Sequence, residues 1–214
     1  MLEHEWKAWL ADRGVPVPRG IFLPGAREAD PRALDGLQPP LVVKALGPRI
    51  VHKTEVGAVR VGLPTAAAAA AAATQMLRAI AGRGIPVEGV LVEEMIQPGL
   101  EVMLGVSPDP AWGRLLAFGL GGTRVEALGE VEFFAIPLRE HDVETVLTTV
   151  PWLPAALRRS GPAGLRALRD LVWRFAGPGG VGLDPGVARL ELNPVIVHGD
   201  GAVAVDARGA RNAC

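Results

Sequence analysis

Residues 189–209 read RLELNPVIVHGDGAVAVDARG, two alternating runs about a Gly-Asp-Gly turn. Side chains of a strand point alternately to opposite faces, so Leu190 and Leu192 share one face and Glu191 and Asn193 the other. With Gly199 and Asp200 at the turn centre, antiparallel register sets Asn193 opposite Asp206 and Glu191 opposite Arg208. An Asn carbonyl beside an Asp carboxylate is a pair of hard oxygen ligands, suited to a magnesium ion that keeps water and nucleotide phosphates as its other ligands. A plain surface hairpin with a Glu191–Arg208 ion pair satisfies the same pattern, and a turn centred on Asp200–Gly201 would slip the register and break it.

Upstream, residues 89–105 read GVLVEEMIQPGLEVMLG. Glu93 ends an apolar strand and Glu101 opens the next, on the face of Met103. A carboxylate there can accept both hydroxyl protons of a ribose, and the strand-end backbone at Glu94 and Met95 can pair with an adenine edge; solvated strand ends are the plainer alternative. Gly119, Gly121 and Gly122 follow a strand in AFGLGGTRVEAL, residues 117–128, and by themselves say only that the chain turns tightly.

Residues 41–63, LVVKALGPRIVHKTEVGAVRVGL, place Lys44 among aliphatic neighbours of an apolar strand. Its ammonium either reaches water along its own stem or meets an anion. The loop after it is basic and flanked by glycines, so its amides, with His52 and Lys53, are able to contact phosphate oxygens; an exposed loop is the alternative, and the spacing is not that of a Walker loop.

Around these stretches the pattern predicts a helix carrying Trp6, Trp9 and Leu10, strands at 19–23, 58–62, 115–120 and 131–137, and a helix near 31–37. It also predicts an alanine-rich helix over 65–81 and a helical region over 141–175 broken at its prolines. Helices and strands mix without strict βαβ alternation, which indicates an α+β fold. The expected domains are 1–92, an N-terminal helix with a small lobe, and 93–214, a large lobe with the metal-binding hairpin.

The 214 residues are 49% hydrophobic, enough for a substantial core, and 22 Lys and Arg nearly balance 23 Asp and Glu. A net charge of -1 gives no general attraction to nucleic acid or an anionic membrane, and neither partner is expected. A single cysteine, Cys214, excludes an internal disulfide. The first residues lack the apolar core of a secretory signal and no stretch has the length of a membrane span, so a cytoplasmic location is expected.

Three segments, VVKALGPRIVHKTEVGAV (42–59), residues 89–122 and LELNPVIVHGDGAVAVDAR (190–208), together resemble the ATP-grasp domain of nucleoside-diphosphate-forming acyl-CoA synthetases. The likeness is to the β subunit of ADP-forming acetate–CoA ligase and, more distantly, to succinyl-CoA synthetase β. It implies an ATP-grasp fold of two α+β lobes with nucleotide held between them, ATP/ADP and Mg2+ as cofactors, and phosphoryl exchange between Mg-ATP and a histidine. By the same resemblance Lys44 contacts ATP phosphates, Glu93, Glu94 and Met95 match the segment that reads adenine, and Glu101 matches the acid at the ribose. Asn193 and Asp206 match the magnesium ligands with Glu191 beside them, and His52 matches a histidine implicated in phosphoryl transfer.

The chain departs from the family at Glu55, commonly Asp, and at Gly57–Ala58, commonly Gly-Gly. The family's CoA-binding and ligase domains have no counterpart here, so a CoA-binding α subunit on a separate chain, bringing CoA and a small carboxylic acid, is the implied partner. Two other functions fit the same residues: a non-catalytic nucleotide-sensing module, and a carboxylate–amine ligase of the same fold.

Overall fold

A computed structural model describes residues 1–25, 28–50, 53–122 and 131–212. They form two compact units, one of residues 18–95 and one that combines residues 3–17 with 96–214. The expected division fell three residues earlier and gave the N-terminal helix to the smaller lobe. The helix belongs instead to the larger unit, because Trp6 and Leu10 are buried in its apolar core.

The smaller unit is an antiparallel sheet of four strands in the order β1-β4-β2-β3, with β1 at Gly20–Pro24, β2 at Leu41–Leu46, β3 at Val59–Leu63 and β4 at Gly89–Glu94. Helix α2, Ala66–Ala81, packs on it through Ala69, Ala70, Ala73, Met76, Leu77 and Ile80. Methyl-sized side chains on that face let the helix axis come close to the sheet. Thr65 starts the helix, its hydroxyl accepting the Ala68 amide at 3.1 Å. The expected helix near 31–37 is one turn of 3-10 helix, Pro31–Leu34, ended before Gly36, whose φ of 91° is the left-handed region open to glycine.

The larger unit carries a six-stranded antiparallel sheet in the order β10-β8-β5-β6-β7, with β9 paired to β8. Its strands are β5 (Leu100–Asp109), β6 (Gly113–Leu120), β7 (Val131–Ala135), β8 (Val187–His198), β9 (Gly201–Ala204) and β10 (Ala207–Arg211). Among the described residues its helices are α1 (Glu3–Ala11), α3 (Glu140–Thr149), α4 (Leu153–Leu157) and α5 (Gly161–Ala176). Val102, Leu104, Val106, Leu116, Phe118, Leu190 and Leu192 join Leu168, Leu171, Val172 and Phe175 of α5 in one core. Alternation then turns Glu101, Glu191 and Asn193 to the sheet face away from that core.

Strand β10 carries the expected pairing of Arg208 with Glu191, although ARGAR has weak strand propensity. It forms because β8 is twelve residues long and has backbone to pair beyond β9. Gly209 is needed there: a Cβ would stand 2.7 Å from Cζ2 of Trp6.

Candidate active site

In the smaller unit the lysine of β2 has a defined partner. The register sets Val42 opposite Glu93 and Lys44 opposite Leu91, so Lys44 and Glu93 are diagonal neighbours on one sheet face. The Lys44 Nζ lies 2.9 Å from Oε2 of Glu93, with the two side chains 8% and 3% exposed. On the other side of Glu93 stands Gly20, where a Cβ would come 2.7 Å from the Glu93 Cγ. Glycine at that position makes room for the carboxylate under the sheet edge. Glu93 therefore holds the ammonium of Lys44, a role that the sequence reading had not assigned to it.

The neighbouring strand end is also differently equipped from the expectation. The Glu94 amide donates to the Arg19 carbonyl at 2.9 Å and the Met95 amide to the Pro40 carbonyl at 2.8 Å. Both N–H groups are thus engaged within the smaller unit, which leaves the backbone carbonyls of this strand end as the groups to consider for an adenine edge. The Glu94 side chain accepts the Gln38 amide at 2.9 Å. Ile96, one residue on, has no backbone hydrogen bond among the described residues.

In the loop after β2, His52 lies outside the described residues. Lys53 is half-buried, its carbonyl accepting the Ala58 amide at 2.7 Å, and Gly57 takes a φ of 71°. Ala58 is fully buried and its carbonyl accepts the Ala45 amide at 2.9 Å. The methyl group that distinguishes this chain from a Gly-Gly loop is absorbed by the apolar core of the unit.

In the larger unit the hairpin has the register read from its turn: His198 faces Gly201, Val195 faces Ala204 and Glu191 faces Arg208. The Asn193 amide donates to the Asp206 carbonyl at 3.2 Å, which sets those residues across from one another. A short chain of contacts then crosses the sheet. The Gly122 amide donates to Asn193 Oδ1 at 2.8 Å, Asn193 Nδ2 donates to Glu191 Oε1 at 3.2 Å, and Glu191 Oε2 is 3.9 Å from the Arg208 guanidinium.

The glycines after β6 enter this chain of contacts. The Gly121 amide donates to the Glu101 carbonyl at 2.9 Å, and a Cβ on Gly121 would come 2.5 Å from the Val102 carbonyl oxygen. Gly122 has a φ of 68° and lies so close to the exposed Glu101 carboxylate that a Cβ would fall onto Oε2. The tight turn read from the sequence is therefore also a close approach of two backbones that fixes Glu101 and Asn193 together.

A cavity of about 430 Å³ opens on the same sheet, lined by Met103, Gly105, Ser107, Arg189, Glu191 and Arg208 among others. Glycine and serine leave its floor low, and two guanidinium groups give it a positive rim. Among the described residues no three His, Cys, Asp or Glu side chains converge on one point. Asn193 lies beside the Glu191 carboxylate and across from Asp206, an oxygen-bearing group of side chains, and its Oδ1 retains a second lone pair beside the one that takes the Gly122 amide. Such an incomplete set fits a hard cation that keeps water and phosphate oxygens, and not a fully protein-caged one.

These features define an ATP-grasp domain, and the family model of that description matches residues 1–209. The chain is 33% identical over 215 residues to the β subunit of acetate–CoA ligase [ADP-forming] II of Pyrococcus furiosus, covering 97% of this chain and 90% of that subunit. It superposes with a TM-score of 0.86 on acetyl-coenzyme A synthetase 1 of Ca. Korarchaeum cryptofilum in complex with coenzyme A, Ca-AMPCP and HgCl+, at 32% identity, over 99% of this chain and 93% of that one. A further structure of that enzyme, with coenzyme A and Mg-AMPPCP and its phosphohistidine segment pointing towards the nucleotide binding site, gives a TM-score of 0.79 at 32% identity, over 98% and 92% of the two chains. The chain belongs to the ATP-grasp family of ADP-forming acetate–CoA ligase β subunits. Among the described residues no helix is long and apolar enough to cross a membrane.

Proposed function

We propose that this chain is the nucleotide-binding subunit of an ADP-forming acid–CoA ligase, moving a phosphoryl group reversibly between Mg-ATP and a histidine. The observation that carries the reading is the run of contacts from Glu101 through Gly122 and Asn193 to Glu191 and Arg208, which supports reading these oxygen acceptors as ribose and metal ligands. Lys44, Lys53 and the loop amides meet the phosphates, Glu101 takes the ribose hydroxyls, and the adenine edge lies against the Glu94 carbonyl and the Ile96 amide.

Asn193 and Asp206, with Glu191 beside them, would hold magnesium, which would supply charge neutralisation on the phosphates. Glu93 holds the Lys44 ammonium in place, so it is positioned before phosphate arrives. In the forward direction the imidazole nitrogen of His52 attacks the γ-phosphorus, the bond to the β–γ bridging oxygen breaks, and ADP leaves. The phosphoryl group then passes to a carboxylate on a CoA-binding partner, where CoA displaces phosphate to give the thioester.

Labelled ATP, magnesium, a short carboxylic acid and CoA, incubated with the purified chain alone and with a CoA-binding subunit, test the proposal. Acyl-CoA is expected only in the mixture, together with an acid-labile, base-stable phosphate that mass spectrometry places on His52. Thioester made by the chain alone overturns the division of labour. Full turnover by both His52→Ala and His52→Gln overturns the relay.

A further inference from the structure

Helix α1 holds a buried ion pair that is not among the residues assigned to nucleotide or metal. Helix α1 buries Glu3, Trp6, Lys7 and Leu10, the i, i+3, i+4, i+7 face of one helix. Apolar residues at positions 3 and 7 would complete that stripe, and buried ion pairs are weak stabilisers relative to them. The Glu3 carboxylate lies 2.8 Å from the Lys7 ammonium, both side chains almost wholly out of water. What lysine does here and an apolar side chain would not is donate to the carbonyl of Val205, at 2.7 Å.

Val205 and Asp206 fall between the end of β9 at Ala204 and the start of β10 at Ala207, outside regular strand. One edge of β9 pairs with β8; on the other, the Ala204 amide donates to the Pro16 carbonyl at 2.9 Å. On the far side Trp6 seats against Gly209. Three contacts from α1 and the segment after it thus bracket Asp206, at Ala204, Val205 and Gly209.

We infer that Lys7, held by Glu3, is a positioning residue for the magnesium hairpin: it fixes the Val205 carbonyl and through it the direction of the Asp206 carboxylate. The inference rests on the reading of Asp206 as a magnesium ligand. Groups that orient a ligand without touching the metal alter metal affinity when removed, even where the fold survives.

The test is calorimetric titration of the full chain with ADP, without metal and across a magnesium series, for wild type, Lys7→Met and Asp206→Asn. Lys7→Met is expected to bind metal-free ADP as wild type does and to need about tenfold more magnesium for half-maximal enhancement of binding. A lower melting temperature with an unchanged magnesium requirement overturns the inference. If Asp206→Asn shifts the requirement and Lys7→Met does not, only the positioning role fails. If neither shifts it, the metal reading fails and the inference with it. Should Lys7→Met not fold, Glu3→Gln, which keeps the ammonium but loosens its anchor, is measured in the same way, and an unchanged requirement again overturns the role.

Discussion

At the scale of single residues, the pair Lys44–Glu93 ties the fold to the chemistry. Glu93→Gln leaves a buried ammonium without its counter-charge, and urea denaturation should show a loss of about 3–5 kcal/mol. The double variant Lys44→Met with Glu93→Leu replaces both charges by apolar groups and should recover most of that stability while failing to bind nucleotide. Nucleotide affinity that survived in this double variant would separate Lys44 from the phosphates. At Gly122, alanine meets both a left-handed φ and the Glu101 carboxylate. The backbone term alone costs roughly 1–2 kcal/mol, and displacement of Glu101 should weaken nucleotide binding as well, readable by thermal denaturation and titration of the same sample. Lys44 was legible in the sequence as a charge out of place, and Glu93 as a charged strand end. Their pairing was not, because it depends on which strands are neighbours, and β2 and β4 are joined only through β3 and α2.

Among the elements, the hairpin was the most legible, since a turn centre and an alternating pattern together determine every facing pair. Its continuation into β10 follows the same register to Arg208, although the local sequence there has weak strand propensity and the pairing depends on the length of β8. The glycine cluster after β6 was seen as a turn, while its close approach to β5 needed the strand order. The pairing of the Glu94 and Met95 amides was hidden for a similar reason, as partners at Arg19 and Pro40 are remote in sequence. Helix α2 was read to its cap. Eight successive alanines contribute helix propensity but little apolar area, so the Thr65 hydroxyl carries a large share of the N-terminal definition. Thr65→Ala should lower stability by about 1 kcal/mol, seen as a lower denaturation midpoint with an unchanged slope.

Across the whole molecule, the place of α1 was not legible in the sequence. Trp6, Trp9 and Leu10 announced an amphipathic helix, but nothing local says which sheet it covers. In the structure α1 closes the unit that holds the metal-type hairpin, which is why a segment at one end of the chain bears on a site near the other. The central claim is that Lys44 serves nucleotide binding and that Asn193 with Asp206 serve the magnesium that strengthens it. Titration calorimetry of the full chain with a non-hydrolysable ATP analogue, with and without magnesium, tests it most directly. Wild type should bind the analogue more tightly with magnesium present, Lys44→Ala should lose binding under both conditions, and Asn193→Ala should lose only the gain that magnesium brings. No binding by wild type, or wild-type behaviour in both variants, would contradict the account.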